Sequence, residues 1–175
     1  VDKALKSGKA TSGGCPLTYT DLVAAIQTGK AVQPFAYCRR HKKLCRFQRA
    51  QCHIAGTPCV DFSKMGNEQA EDGHTIAMFL TWVGMRLMLR EPVVIHENVP
   101  EFKVSMLALL EPLYEIHTHV FDATTLGWPA HRNRRYTTLT LRSSRSAMGS
   151  DADRALRHFA RPCCTSFDSF LVATD

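Results

Sequence analysis

The spacing of apolar and polar residues predicts alternating strands and helices along the chain. The apolar segment 74–90 predicts a helix, because it is too long for a strand and because Pro92 cannot continue a helix. The β-branched residues at 92–96 show no alternation, which is typical of a strand buried on both faces. The alternating pattern at 136–141 predicts a further strand.

Weaker patterns complete the predicted order of elements. They are a short helix from about residue 20 to 26, a basic amphipathic helix at 36–51, a strand from 52 that runs into a Gly/Pro loop by 58, a helix at 102–110 and a strand at 114–121. This order favours an α/β domain with helices packed on a largely parallel sheet. In such sheets the functional residues lie just beyond the carboxyl ends of the strands.

Composition narrows the class of protein. A chain of 175 residues with 45% hydrophobic and 22% charged residues is typical of one soluble domain that needs no disulfides. The seven cysteines and the lack of a secretion signal indicate a reduced, intracellular protein, nuclear if eukaryotic and cytoplasmic if bacterial. The most apolar segment, 76–89, is shorter than the roughly 20 residues that a membrane helix needs, so no membrane partner is expected.

The net charge of +6 is distributed unevenly. Residues 22–60 contain seven Lys or Arg and no acid, residues 61–122 contain ten acids and four bases, and residues 123–150 contain five Arg and no acid. Two basic blocks on either side of an acidic one suit phosphate contacts around an active centre. The alternative is that the first block is simply a solvated helix face.

Three candidate functional segments follow the predicted strands. Cys59, on a Gly/Pro loop, is a candidate nucleophile, although an isolated cysteine is more often a small buried apolar residue. Glu97 ends an apolar strand, where a carboxylate is either used in chemistry or serves as a helix N-cap. Arg132 and Arg134 lie two residues apart and project to the same side, as an anion-binding fork or as a solvated basic loop.

Together these segments resemble the DNA (cytosine-5)-methyltransferase family. Residues 56–63, Gly-Thr-Pro-Cys-Val-Asp-Phe-Ser, are similar to the catalytic loop of that family. Residues 92–99, Pro-Val-Val-Ile-His-Glu-Asn-Val, are similar to its Glu-Asn-Val strand end, and residues 127–136 to its Gly-x-Pro-Gln-x-Arg-x-Arg segment. The three occur in the family's order, and the resemblance covers residues 54–141, half of the chain.

The resemblance implies a fold and a chemistry. The fold would be a Rossmann-like sheet of an S-adenosylmethionine-dependent methyltransferase, and the reaction would methylate C5 of an extruded cytosine through a covalent Cys59 adduct. Glu97 would act at N3 of the base, Arg134 would hold O2, and Arg132 would support the cysteine and the adduct. DNA is then the expected partner.

The remaining site residues also follow from the resemblance. The residues expected to contact substrate are Thr57, Pro58, Phe62, Ser63, Asn98 and Val99, and those expected to contact the cofactor are Pro58 and Ile76. The chain departs from the family at Val60 and Ala130, where the family has glutamine, and it shows no Phe-x-Gly-x-Gly-Gly segment near its N-terminus. We therefore expect the fold to be incomplete at its N-terminal cofactor-binding part, so that a further chain or partner completes that site.

The predicted organisation is a loosely structured leader at 1–35, a methyltransferase catalytic region at 36–145, and a C-terminal segment of uncertain structure at 146–175. Two alternative functions stay open at this point. One is an RNA cytosine-5 methyltransferase of the same fold, and the other is a non-enzymatic nucleic-acid-binding remnant of it.

A metal site is not predicted. Four cysteines recur every seven residues, with two histidines among them: Cys38, Cys45, Cys52, Cys59, His41 and His53. This spacing differs from the Cys-x2–4-Cys pattern of structural zinc sites, so the repeat is interpreted as coincidence or as one face of a helix.

Overall fold

The computed structural model describes residues 19–29, 32–58, 75–144 and 157–162. The helices are α1 Tyr19–Gln27 and α2 Ile76–Leu89, with 3-10 helices at Val104–Leu110 and Ala123–Thr125. The strands are β1 Phe35–Cys38, β2 Lys43–Arg46, β3 Cys52–Gly56, β4 Val93–Asn98, β5 Tyr114–Asp122 and β6 Asn133–Leu141. The fold is therefore mixed α/β, as predicted. In the described part of the chain no helix is both long and apolar enough to cross a membrane.

Within the described residues, the main sheet has four strands in the order β3-β4-β6-β5. Among these four, only β3 and β4 are parallel, while β6 is antiparallel to both β4 and β5. The prediction of a largely parallel sheet is wrong on this point. Residues 123–132 join β5 to β6, and this connection is too short for the crossover of about a dozen or more residues that a parallel pair requires.

One face of this sheet carries the hydrophobic core. Along β4 the side chains of Val94, His96 and Asn98 alternate inward and are buried, as the period of two in a strand dictates. Helix α2 and the 3-10 helix Val104–Leu110 pack against this face. They contribute core residues that are almost fully buried: Phe79, Leu80, Val83, Met106, Leu107 and Leu110. The alternate residues of β4 point to the other face, which leaves Glu97 partly exposed.

Helix α2 also buries an ion pair. Arg86 and Glu91 lie 3.0 Å apart, with only 2% and 1% of their side chains exposed. The guanidinium of Arg86 lies 5.9 Å from the centre of the Trp82 ring, and the hydroxyl of Tyr114 donates to the carbonyl of Arg86. An arginine within an apolar helix is tolerated here because its charge is paired.

Most of the predicted elements are confirmed. The short helix near residue 20, the long helix α2 and the strands β3, β4 and β5 lie where the apolar pattern placed them, and β6 begins three residues earlier than predicted. The segment predicted as a helix at 102–110 is a 3-10 helix over Val104–Leu110.

The basic amphipathic helix predicted at 36–51 is wrong, because β1 and β2 form an antiparallel hairpin there. Tyr37 and Phe35 favour strands, and Lys42 in the turn adopts the left-handed conformation with φ of 51°. The cluster of basic residues that suggested one polar face of a helix is instead the four-residue turn 39–42 between two short strands. Almost all side chains of the hairpin are exposed, so the segment has no buried face that would require the residue spacing of a helix.

Candidate active site

Glu97 and Arg134 form an ion pair at the end of the parallel strands. Glu97 is opposite Tyr136 in the β4–β6 register, and Arg134 lies two residues before Tyr136 on the same face of β6. This diagonal relation lets the Nε atom of Arg134 reach the Oε1 atom of Glu97 at 2.9 Å. The side chain of Arg134 is 23% exposed and that of Glu97 is 30% exposed, so the pair is accessible to a ligand.

Gly56 leaves space for the Glu97 carboxylate. The two residues are paired in the β3–β4 register, and a Cβ atom at position 56 would lie 3.0 Å from the Oε2 atom of Glu97. The carboxylate therefore has one oxygen on Arg134 and the other above the backbone of Gly56. A glycine at the end of β3 allows this close approach.

A second cluster ties the turn after β3 to the inner face of β4. The hydroxyl of Thr57 lies 2.7 Å from Nε2 of His96, and the amide of Asn98 donates to the same hydroxyl at 3.0 Å. The other end of the Asn98 amide accepts the N–H of Val99 at 2.8 Å. These bonds fix Thr57, and with it Pro58, beside the end of the strand that carries Glu97.

His96 is held neutral by its surroundings. Its ring is fully buried and lies 5.0 Å from the ring centres of both Trp82 and Phe102. Burial lowers the pKa of His96 from 6.5 to about 4, because the charged imidazolium would lose its hydration. At neutral pH the imidazole is therefore an uncharged hydrogen-bond partner for Thr57.

The pKa of His96 predicts a loss of stability in acid. A histidine whose pKa is lower in the folded state binds more protons in the unfolded state. Its contribution to the free energy of unfolding is therefore complete above about pH 6.5 and decreases as the pH falls toward 4. The shift from 6.5 to about 4 corresponds to about 3 kcal/mol of unfolding free energy. Urea unfolding between pH 7.5 and pH 4.5 measures this slope.

His53 also makes the free energy of unfolding decrease as the pH falls, because its pKa is lowered in the folded state. The larger cause is burial, and the smaller is the positive charge of Arg86. The slope should therefore become shallower in His96→Gln without vanishing, and it should be unchanged in a control variant at exposed His158. An equal slope in His96→Gln and in the unmodified protein would contradict the assignment.

The structure brings together four residues that the sequence had singled out: Glu97 with Arg134, and Thr57 with Asn98. It does not bring Arg132 into these contacts. Arg132 is exposed just before β6, and its backbone N–H bonds to the carboxylate of Asp122. Cys59, Phe62 and Ser63 lie outside the described residues, so their assigned roles stay predictions.

Gly56 and His96 also belong to this site, although neither was predicted as a site residue. The period of two along β4 places His96 on the same face as Asn98, and this signal is readable in the sequence. The contact between His96 and Thr57, however, joins residues 39 positions apart and requires the parallel β3–β4 register.

The two residues expected to contact the cofactor differ in exposure. Ile76 is only 4% exposed and packs within the hydrophobic core, while Pro58 is half-buried at the turn after β3. An apolar side chain enclosed by other side chains presents no surface to a nucleoside. The cofactor roles of Pro58 and Ile76 therefore stay predictions.

Comparison with known proteins points to one family. The sequence model of the family described as C-5 cytosine-specific DNA methylase matches residues 39–160. The protein DNA (cytosine-5-)-methyltransferase DMT5 of Cryptococcus neoformans var. grubii is 32% identical over 133 residues, which cover 70% of this chain. The match spans only 5% of the length of that relative.

Solved structures give weaker likenesses. The S. pombe Dnmt2 methyltransferase has a TM-score of 0.46 and 18% identity, covering 63% of this chain and 36% of its own. The Entamoeba histolytica methyltransferase EhMeth has a TM-score of 0.42 and 15% identity, covering 55% and 33%.

Proposed function

Since the chain belongs to the C-5 cytosine-specific DNA methylase family, we propose that it methylates C5 of cytosine in DNA. The observation that carries the proposal is the accessible pair of Glu97 and Arg134, 2.9 Å apart at the end of the parallel strands. Thr57 and Pro58 are fixed beside this pair, and Cys59 follows them directly in the chain. A carboxyl group and a guanidinium thus lie together at the end of the strands, beside the two residues that precede the proposed cysteine nucleophile in the sequence.

Glu97 is proposed to act at N3 of the base. C5 of cytosine is a poor nucleophile while the ring is aromatic, so the reaction requires a group that stabilises electron density as the aromaticity is lost. The Glu97 carboxylate, which is ion-paired with Arg134 in the free chain, takes up a proton when the base binds and donates it to N3 as this density develops. The missing side chain of Gly56 leaves room for Oε2, and Arg134 orients the other oxygen of the carboxylate.

Arg134 is proposed to hold O2 of the same base. Its Nε group contacts Glu97, and one terminal nitrogen donates to the carbonyl of Asn133 at 2.7 Å. A guanidinium has five N–H donors, and the second terminal nitrogen is used by neither of these two contacts. It can therefore donate to O2 without releasing the carboxylate.

Cys59 is proposed as the nucleophile. Its thiolate forms a bond to C6, the electrons of the C5–C6 double bond move through C4 to N3, and N3 takes the proton from Glu97. The products of this step are a neutral adduct with an electron-rich C5 and an ionised Glu97. S-adenosylmethionine, which the family implies as cofactor, supplies the methyl group.

The bonds among Thr57, His96 and Asn98 are proposed to set the position of the cysteine. They connect Thr57, which lies two residues before Cys59 in the sequence, to the strand that carries Glu97. C6 and N3 lie on opposite sides of a pyrimidine ring, and both must be reached at once. The target base must leave the duplex for this, and the two basic segments of the chain provide phosphate contacts.

A trapping experiment tests the proposed function. The full chain is incubated with S-adenosylmethionine and a DNA duplex that contains 5-fluorocytosine, or with RNA of the same sequence. Fluorine cannot leave C5 as a proton does, so the covalent link to the chain persists. We expect an adduct with DNA that survives denaturation.

The other outcomes separate the alternatives. An adduct with RNA and none with DNA would favour an RNA cytosine-5 methyltransferase. No adduct with either, together with salt-sensitive DNA binding, would favour a non-enzymatic remnant and would contradict the proposal.

A further inference from the structure

Three metal-ligating side chains meet on the β1–β2 hairpin, outside the proposed active site. The Sγ atoms of Cys38 and Cys45 and a ring nitrogen of His41 all lie within 4.8 Å of one another, and Nδ1 of His41 is 3.3 Å from Sγ of Cys45. We propose that these three side chains bind one zinc ion.

The register of the hairpin explains why the side chains meet. Cys38 is opposite Lys43, and Cys45 lies two residues beyond Lys43 on the same face of β2. The two cysteines are therefore diagonal neighbours. His41 lies in the turn that joins the strands, where its ring reaches back to Cys45.

The donor set and its spacing suit zinc. Thiolate and imidazole are the ligands that zinc prefers in proteins, and ligand atoms about its tetrahedron lie roughly 3.3–3.8 Å apart, so small side-chain rotations close the site. Successive ligands are separated by two residues and then three. The seven-residue spacing of the cysteines alone conceals this pattern, because the middle ligand is a histidine.

Among the described residues, the hairpin buries little apolar surface. Phe35, Tyr37 and Leu44 are 50%, 62% and 68% exposed, and Cys38 and Cys45 are the only strand positions of the hairpin that are partly buried. An isolated two-stranded hairpin is marginally stable at best. Metal binding would supply folding free energy here, since a formed site exists only in the folded hairpin.

Charge is also balanced in such a site. The turn carries Arg39, Arg40 and Lys42, with Lys43 at the start of β2, so a bare dication would be repelled. The thiolates of Cys38 and Cys45 cancel the two positive charges of zinc. The site formed with His41 is then neutral and would hold the basic turn between β1 and β2 in place. Three protein ligands leave a fourth tetrahedral position, which we assign to water.

Metal analysis of the purified full chain tests the proposal. We expect about one zinc per chain in protein purified without chelators, and at least about tenfold less in Cys38→Ser and Cys45→Ser. The matched control is Cys52→Ser, which removes an exposed thiol of the same basic segment at the start of β3 and should keep its zinc. Circular dichroism and urea unfolding establish that each variant still folds.

Cobalt provides a second readout that is independent of methyltransferase activity. Protein refolded with Co²⁺ should show thiolate-to-metal charge-transfer bands and intense visible bands of tetrahedral cobalt, and folded Cys38→Ser should lose them. Absence of zinc and of these bands in the unmodified chain would overturn the proposal, as would a disulfide between Cys38 and Cys45 in metal-free protein. Equal zinc loss in Cys52→Ser would overturn the three-residue ligand set.

Discussion

Replacing Glu97 by glutamine is expected to slow methyl transfer by about 10²–10⁴-fold, the usual contribution of a general acid. Glutamine keeps the size of the side chain and can still accept from Arg134, but it has no acidic proton to donate to N3. Ground-state binding of DNA depends mainly on phosphate contacts, so the dissociation constant should change by less than about threefold.

Single-turnover methyl transfer and DNA binding are measured on the same preparations. The matched control is Glu111→Gln, which removes one exposed carboxylate at the end of the 3-10 helix, away from the sheet end. Parallel losses of rate and of binding in Glu97→Gln would mean that the carboxylate positions the nucleic acid and does not act on N3.

The strand that carries Glu97 could be predicted from the sequence, because its signals are local. Residues 92–96 are β-branched and apolar, and the period of two then separates the face of His96 and Asn98 from the face of Glu97. The pairing of Glu97 with Arg134 could not be predicted, since it depends on the antiparallel register of β4 and β6. Glu97 and Arg134 were nevertheless expected in one site, because the segments that contain them resemble two motifs of the family.

The basic hairpin shows why the prediction of a helix at 36–51 failed. The sequence at 36–51 contains no Gly or Asn to mark the turn, and the left-handed position is occupied by Lys42. A charged segment without a buried face gives no periodic signal that separates a helix from a hairpin. The convergence of Cys38, His41 and Cys45 becomes visible only once the strands are paired.

Replacing Cys59 by alanine is expected to abolish all chemistry on the base. Activation of C5 begins with addition of the thiolate to C6, and alanine has no atom that can form this bond. The rate should fall by roughly four orders of magnitude or more, as when other covalent nucleophiles are removed. The matched control is Cys52→Ala, which removes an exposed thiol at the start of β3.

Exchange of the C5 hydrogen with water tests whether this edge of the sheet activates cytosine. Addition of Cys59 to C6 lets C5 take a proton from water and then lose the original hydrogen, so a DNA duplex tritiated at C5 of cytosine releases its label without a methyl donor. The unmodified chain should release tritium, the Cys52→Ala control should match it, and Cys59→Ala should release none. Release that continues in Cys59→Ala, or no release by an unmodified chain that binds the duplex, would contradict the account.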